Sequence, residues 1–446
     1  MGENAGVKNK TTTVPSDRSE LSVLRQICNL IPNHLVPTLA RQTGVTPLAR
    51  TYSPHSHVVT MLFSQLTHAV SLNDVCDSLQ LHSGPLSAVR GATPPSRNNL
   101  SHANRVRPAA LAEKLFWSTL AHLQTVSPSF GKGTSGKFVR RFKATINIVD
   151  STTISLVANC MDWAKHRRRK AAAKCHLRLD LATVLPRFAI IEPAIGSDAG
   201  RARQVCADVK EGEVILFDRA YLDFAHLFEL TQRGVSWVTR TKANMQFRVV
   251  KKQLRKPHRN ILRDDEIVPI NADSRAAYPQ RMRRVLALVE VDGEECAMEF
   301  LTNNFQWAAS SVAALYRSRW QIESFFKQLK QTLQIADFAP DCRRSPCGLH
   351  FVQAISLRSV LGNSENAVQW QLWTALLTCV LLRYLRFCSQ WSGSFIRLWA
   401  VVRLLLWSKR DLRAVLERYG TAGARLRCLA QPETLWLPGL RPRAVG

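Results

Sequence analysis

Apolar positions recur at helical spacing from Leu21 through Leu30, again from Val58 to Leu66, and again from Leu72 to Leu79. The last of these opens on Ser71 and Asp74, three residues apart, which is a capping-box pattern. Ser96 is placed to cap a short helix, RNNLSHANR, and Pro108 to open another that runs to about Leu123. The pattern predicts a helical unit over residues 18–125, behind a polar and aperiodic stretch at 1–17 expected to be a disordered tail. Residues 126–143 are rich in Gly and Ser and then basic, as a linker is.

Beyond residue 144 the period changes. Ile146 to Val149 is a β-prone run closed by Asp150, and Leu177 to Leu185 and Phe188 to Ile191 read as further strands. Helical spacing reappears at Ala199 to Val209. Val214 to Phe217 is then a continuous apolar run, as expected of a strand covered on both faces, and it too ends in an acid, Asp218. A helix from Phe224 to Gln232 and a strand from Val235 to Arg240 complete an α/β core over 144–240. Residues 241–304 carry short strands and turns, with Asp292-Gly293 suited to a type I′ hairpin, and predict a mostly β insertion. The core resumes over 305–390 with one helix from Leu315 to Lys330, capped by Ser310 or Ser311 and free of Gly and Pro. Residues 391–446 read as basic C-terminal helices.

Charge narrows the partners. The 61 Lys and Arg residues outnumber 33 Asp and Glu, giving +28 and a pI near 10.3. Such an excess suits a polyanion, without separating DNA from RNA or an anionic membrane. The longest apolar run, Leu372 to Leu382, stops at Arg383 and falls short of the roughly 20 residues that a span needs. No membrane role is expected. The 11 cysteines form no CxxC pair and the N-terminus shows no secretory signal, which predicts free thiols in the cytoplasm. Cys342 and Cys347 lack the companions a zinc site requires.

At roughly 100° per residue, Tyr316, Arg319, Glu323 and Lys330 fall together beside an apolar stripe of Leu315, Ile322, Phe326, Leu329 and Leu333. Taken alone, this is an ordinary i,i+4 charge pattern. The spacing Tyr-x2-Arg-x3-Glu-x6-Lys, however, resembles the signature of the DDE transposases of bacterial insertion sequences, of the IS-four type. INIVDSTTISL and VILFDRAYLDF are similar to the two Asp blocks of that family.

The resemblance implies a ribonuclease H-like core interrupted by a β insertion and preceded by a helical DNA-binding domain. It makes Asp150, Asp218 and Glu323 the catalytic, metal-binding carboxylates. Three acids from separated segments suit hard cations, here two Mg²⁺ ions with Mn²⁺ as a substitute. Tyr316, Arg319 and Lys330 would hold phosphates of the transposon end. The segment PSRNNLSHANRVRPAAL resembles the second half of the family's N-terminal domain, with Arg97, Arg105 and Arg107 as phosphate contacts. Arg240 is also expected to bind DNA, as is the basic run from Lys165 to Lys170; no residue is assigned as a base-flipping aromatic, Trp237 and Trp307 being candidates by location alone. The implied partners are double-stranded DNA, both transposon ends and target, and a second protomer in a synaptic dimer at the bacterial nucleoid. The implied reaction is nicking, attack by the freed 3′-hydroxyl, and strand transfer. One departure from the family pattern stands at 339–360, an inserted segment. It keeps open an inactive derivative that only binds DNA; a separate alternative is a metallonuclease of the same core that cuts without joining.

Overall fold

The computed structural model describes residues 18–46, 52–69, 71–132, 138–139, 142–156, 160–164, 171–242, 245–254, 259–291, 293–332, 335–336, 355–357 and 361–419. The chain opens with seven helices: α1 (Val23–Asn29), α2 (Leu35–Gln42), α3 (Pro54–Thr67), α4 (Leu72–Leu81), α5 (Ser83–Ser87), α6 (Arg97–Val106) and α7 (Ala110–Val126). Local chemistry fixes their starts. Ser22, Ser53 and Ser96 each accept a backbone N–H of the first turn of α1, α3 and α6, and Ser71 and Asp74 complete the capping box of α4. The α3 helix is buried almost all round, from Pro54 to Leu66, and is therefore an interior element of the helical unit.

The central sheet begins with β1 (Ile146–Leu156), followed by α8 (Met161–Ala164), β2 (Ala171–Asp180), β3 (Leu185–Pro193), α9 (Asp198–Val205), β4 (Val214–Phe217), a 3₁₀ turn at Arg219–Tyr221, α10 (Phe224–Gln232) and β5 (Ser236–Arg240). Strands β1, β4 and β5 are parallel neighbours, while β2 and β3 run antiparallel along the other edge of β1. The strands β6 (Phe247–Lys252), β7 (Ile261–Pro269), β8 (Met282–Val291) and β9 (Glu294–Thr302), with α11 (Ala272–Ala277), form an antiparallel meander. It does not stand apart: β9 pairs with β5, so the 241–304 region extends the central sheet. Gly293 at the β8–β9 turn has φ +85°, which a glycine adopts freely, and Asp292 lies outside the described residues.

Two helices follow, α12 (Ala309–Ser318) and α13 (Trp320–Thr332). The single helix expected here is thus divided at Arg319. Around it the N–H of Arg319 donates to the Tyr316 carbonyl and that of Ile322 to the Arg319 carbonyl, i to i+3 bonds that tighten the chain by one turn. Neither Ser310 nor Ser311 caps α12, which begins one residue earlier and has Ala308 at its N-cap without a side-chain bond. Short strands β10 (Ile335–Ala336) and β11 (Ile355–Leu357) pair with each other, and β11 lies parallel against the end of β1. The rest of the 339–360 segment and the run 165–170 lie outside the described residues.

The chain closes with α14 (Glu365–Cys388), α15 (Phe395–Leu405) and α16 (Leu412–Tyr419). The α14 helix is buried along most of its length and packs against α3, α6 and α7 on one side and α13 on the other. Its N-terminus is sewn to the helical unit. Asn366 donates to the carbonyls of Asn104 and Arg107 and accepts from the N–H of Ala109, while the Trp370 indole donates to Arg107 O at 2.7 Å. Trp399 of α15 donates to Leu66 O, and Gln26 of α1 bonds the backbone of Arg410 and Leu412. The expected N-terminal domain is consequently one packed body with the C-terminal helices, which supply the apolar surface its own helices lack. Among the described residues no helix is long and apolar enough to cross a membrane.

Candidate active site

Register places the first two acids. Val149 of β1 pairs with Phe217 of β4, so Asp150 and Asp218 follow side by side where these two parallel strands stop pairing. Asp218 lies just past the carboxyl end of β4, whereas β1 does not close at Asp150 as its apolar run suggested but continues along β2 to Leu156. Asp150 is largely buried and its Oδ1 accepts from Ser151 N at 2.8 Å. Asp218 caps the 3₁₀ turn that follows it, accepting from Ala220 N.

Glu323 arrives from α13, which packs against β1. One arginine joins it to the sheet. Arg319 Nη1 donates to Asp150 Oδ2 at 2.5 Å and Nη2 to Glu323 Oε1 at 2.9 Å. The tightened turn at residue 319 aims that side chain at β1, and the Arg319 guanidinium lies over the Tyr316 ring, 5.5 Å from its centroid. The expected contact of three acids around shared ions is therefore not preformed. Among the described residues no three His, Cys, Asp or Glu side chains are close enough to hold an ion, and a guanidinium stands between two of the acids instead.

Burial and crowding leave their mark on these groups. Desolvation pushes the Asp150 carboxyl up to about 7, with the Asp218 and Glu323 charges adding to the rise and Arg319 opposing it. Burial likewise raises the Tyr316 hydroxyl to about 12, Asp218 and Asp150 raising it further and Arg319 and Arg240 acting against them. For Arg319, burial favours loss of charge, but Asp150, Tyr316, Asp218 and Glu323 together overcome it and hold the guanidinium more firmly protonated than usual. The donor set is all carboxylate oxygen, which fits a hard divalent cation, and such an ion would offset the rise that burial, and then the neighbouring acids, impose on Asp150.

The other expected residues divide. Arg240 ends β5, half buried, with its charge acting on the Tyr316 hydroxyl. Lys330 is buried on α13, about 10 Å of helix rise beyond Glu323. Arg97 and Arg105 are exposed on α6, among Asn98, Asn99, Ser101 and His102, a face without acids. Arg107 is different. Its guanidinium donates to Ser53 O at 3.1 Å and to Tyr52 O, and lies over the Tyr52 ring, so it clasps α3 to the start of α7 and is committed to the fold rather than to phosphate. Trp237 is fully buried and donates its indole N–H to Thr231, and so cannot receive a base; Trp307 is partly buried against the core.

Behind Asp150 lies a polar network that sequence reasoning missed. Ser151 Oγ donates to Asp198 Oδ1 at 2.7 Å, Lys174 Nζ approaches the same oxygen at 3.0 Å, and His176 bridges Tyr221 OH at 2.7 Å and Glu192 Oε1 at 3.2 Å. These groups brace β1, β2, β3, α9 and the turn that carries Asp218. The only signals in the sequence are Tyr221, three residues after Asp218, and polar residues alternating at 174, 176, 178 and 180 between apolar ones.

Residues 141–343 match the transposase DDE domain family, and residues 19–89 match a domain of unknown function, DUF4372. A Sinorhizobium fredii protein named as transposase y4zB is 28% identical over 324 residues, covering 72% of this chain and 80% of the relative. A Geobacillus stearothermophilus protein named as a transposase for insertion sequence element IS5377 is 24% identical over 245 residues, covering 55% of this chain and 58% of the relative. Among solved structures, a piggyBac transposase synaptic complex with hairpin DNA aligns over 91% of this chain and 86% of its own, at 9% identity and a TM-score of 0.43.

Proposed function

We propose that the chain, a DDE transposase, binds the ends of its own insertion sequence and carries out strand cleavage and strand transfer with Asp150, Asp218 and Glu323 as its catalytic carboxylates. One observation carries this reading: Asp150 within β1 and Asp218 at the end of β4 lie side by side on neighbouring parallel strands, and a third acid on a packed helix is tied to the first through a single arginine. The order β3-β2-β1-β4-β5, with β2 and β3 antiparallel and β1, β4 and β5 parallel, supports a ribonuclease H-like core that the β6–β9 meander extends.

Divalent ions, Mg²⁺ or Mn²⁺, when bound would activate the attacking water or 3′-hydroxyl and stabilise the leaving oxygen. The chain's own residues do the rest. Asp150 and Asp218 present oxygens from a rigid sheet, and Glu323 approaches from the helix side. Tyr316, Arg319 and Arg240 gather beside the acids, where an arginine and a phenol can hold a phosphate without reading its sequence. Lys330, further along α13, extends that reach. Readout falls to the acid-free outer face of α6, with Arg97 and Arg105 on phosphates. A synaptic dimer would bring the two ends together, and the cytoplasm, at the nucleoid, is where such an element would be met.

Replacing Asp150 or Asp218 by Asn, or Glu323 by Gln, is expected to lower metal-dependent nicking of an end-bearing duplex by about 10³-fold or more, since several kcal/mol of charge stabilisation is lost. Binding of the same duplex should change little. Retained nicking in any one variant removes that residue from the set.

A further inference from the structure

We infer that Arg319 gates access to the carboxylates: its guanidinium holds Asp150 and Glu323 together while no DNA end is present, and passes to a backbone phosphate when an end docks. The inference rests on the carboxylate assignment above, and goes beyond it by giving one side chain two successive partners.

Both terminal nitrogens of Arg319 are spent on the acids, one on β1 and one on α13. Those are the oxygens a divalent cation would need. A guanidinium bonded to them occupies their lone pairs, and its own charge repels a second cation at close range. Gate and ion therefore compete.

The alternative partner is also prepared. Arg319 Nε and Tyr316 OH are both buried and have no hydrogen-bond partner among the described residues. The two groups are adjacent, the guanidinium lying over the phenol ring. Buried donors without acceptors are costly and rare, so their position beside the acids marks where an acceptor belongs. A phosphate oxygen is an acceptor of the right charge, and an arginine presents a fork to it. The hinge is local: the i to i+3 turn at Arg319 separates α12 from α13, so the side chain can turn without either helix leaving the core. Linkage then requires that a docked end raise cation affinity and that the cation raise end affinity by the same factor.

The test is Mn²⁺ binding by the full-length protein without DNA, followed by electron paramagnetic resonance of the free ion, in Arg319→Gln and Arg319→Lys, each with and without Asp150→Asn. Near-ultraviolet circular dichroism checks that each variant is folded. The Asp150-dependent affinity is expected to rise by about tenfold or more in Arg319→Gln, and less in Arg319→Lys, whose single ammonium cannot span both acids. Asp150-dependent binding of unchanged or weaker affinity in both variants overturns the gate while leaving the carboxylate assignment intact. Absence of any Asp150-dependent binding overturns both. Should either variant misfold, the wild-type protein decides: a short random-sequence duplex must raise its Mn²⁺ affinity relative to Asp150→Asn, and no rise defeats the inference.

Discussion

Tyr316 separates the needs of the fold from those of the reaction within one side chain. Its ring packs against Phe300 at 5.0 Å and carries the Arg319 guanidinium, so the aromatic body belongs to the core. Its hydroxyl is buried without a hydrogen-bond partner among the described residues, which costs stability by about 1–3 kcal/mol relative to a satisfied group. Tyr316→Phe keeps the ring and removes the orphan. Thermal or urea unfolding should then report a protein as stable as the wild type or more stable by about 1 kcal/mol. End binding or nicking should fall by about tenfold, the weight of one lost charge-assisted bond. Lower stability together with unchanged nicking would assign the hydroxyl to the fold instead.

At the scale of elements, α3, α6 and α14 meet around one neutral histidine. His57 is fully buried, donates through Nε2 to Asn104 Oδ1 at 2.7 Å, and packs on Trp370 at 4.3 Å, while Asn104 donates in turn to Leu361 O at 2.6 Å. Burial, with the Arg107 charge adding to it, drives the His57 imidazole down to about 3. The unfolded chain takes up this proton near pH 6.5 and the folded chain does not, so stability falls as the pH drops from about 6.5 towards 3. This site alone should contribute a slope of about 1.4 kcal/mol per pH unit between pH 6 and 4. His57→Gln should unfold with a shallower pH dependence by that amount; equal slopes would show that His57 is not the group responsible. Little of this was legible beforehand. The helices themselves were, because Ser71, Asp74 and Ser96 act within their own turns, and β4 was, because a four-residue apolar run closed by an acid has few other readings. The split at Arg319 was not. No Gly or Pro marks it, and the side chain at the break bonds Asp150, 169 residues away. Arg107 failed for the same reason: its partners, Tyr52 O and Ser53 O, lie over fifty residues upstream, where no local pattern can point.

The whole molecule shares one apolar core between its N-terminal and C-terminal helices. A fragment of residues 1–143 would expose the surfaces of α3, α6 and α7 that α14 covers, and would leave the Asn104, Arg107 and Leu66 partners unpaired. Such a fragment should aggregate or lack a cooperative melt by circular dichroism; a soluble, cooperatively folded fragment would restore a free-standing N-terminal domain. The same interleaving sorts the basic residues, because a net charge of +28 does not say which arginines meet DNA. Arg97 and Arg105 are exposed on α6, whereas Arg107 is consumed in holding Tyr52 and Ser53. If six or more phosphates are neutralised, end affinity should fall by about 10³-fold between 50 and 200 mM salt. Replacing Arg97 or Arg105 by Ala should lower the slope of log affinity against log salt by about 1 each, with unfolding unchanged. Arg107→Ala should do the reverse, lowering stability by about 1–3 kcal/mol through the loss of its bonds to Tyr52 O and to Ser53 O, the latter still held by the His57 N–H, while leaving the salt slope in place. A change of slope in Arg107→Ala, or an unfolding shift without one in Arg97→Ala and Arg105→Ala, would mean that the outer face of α6 is not the face turned to DNA.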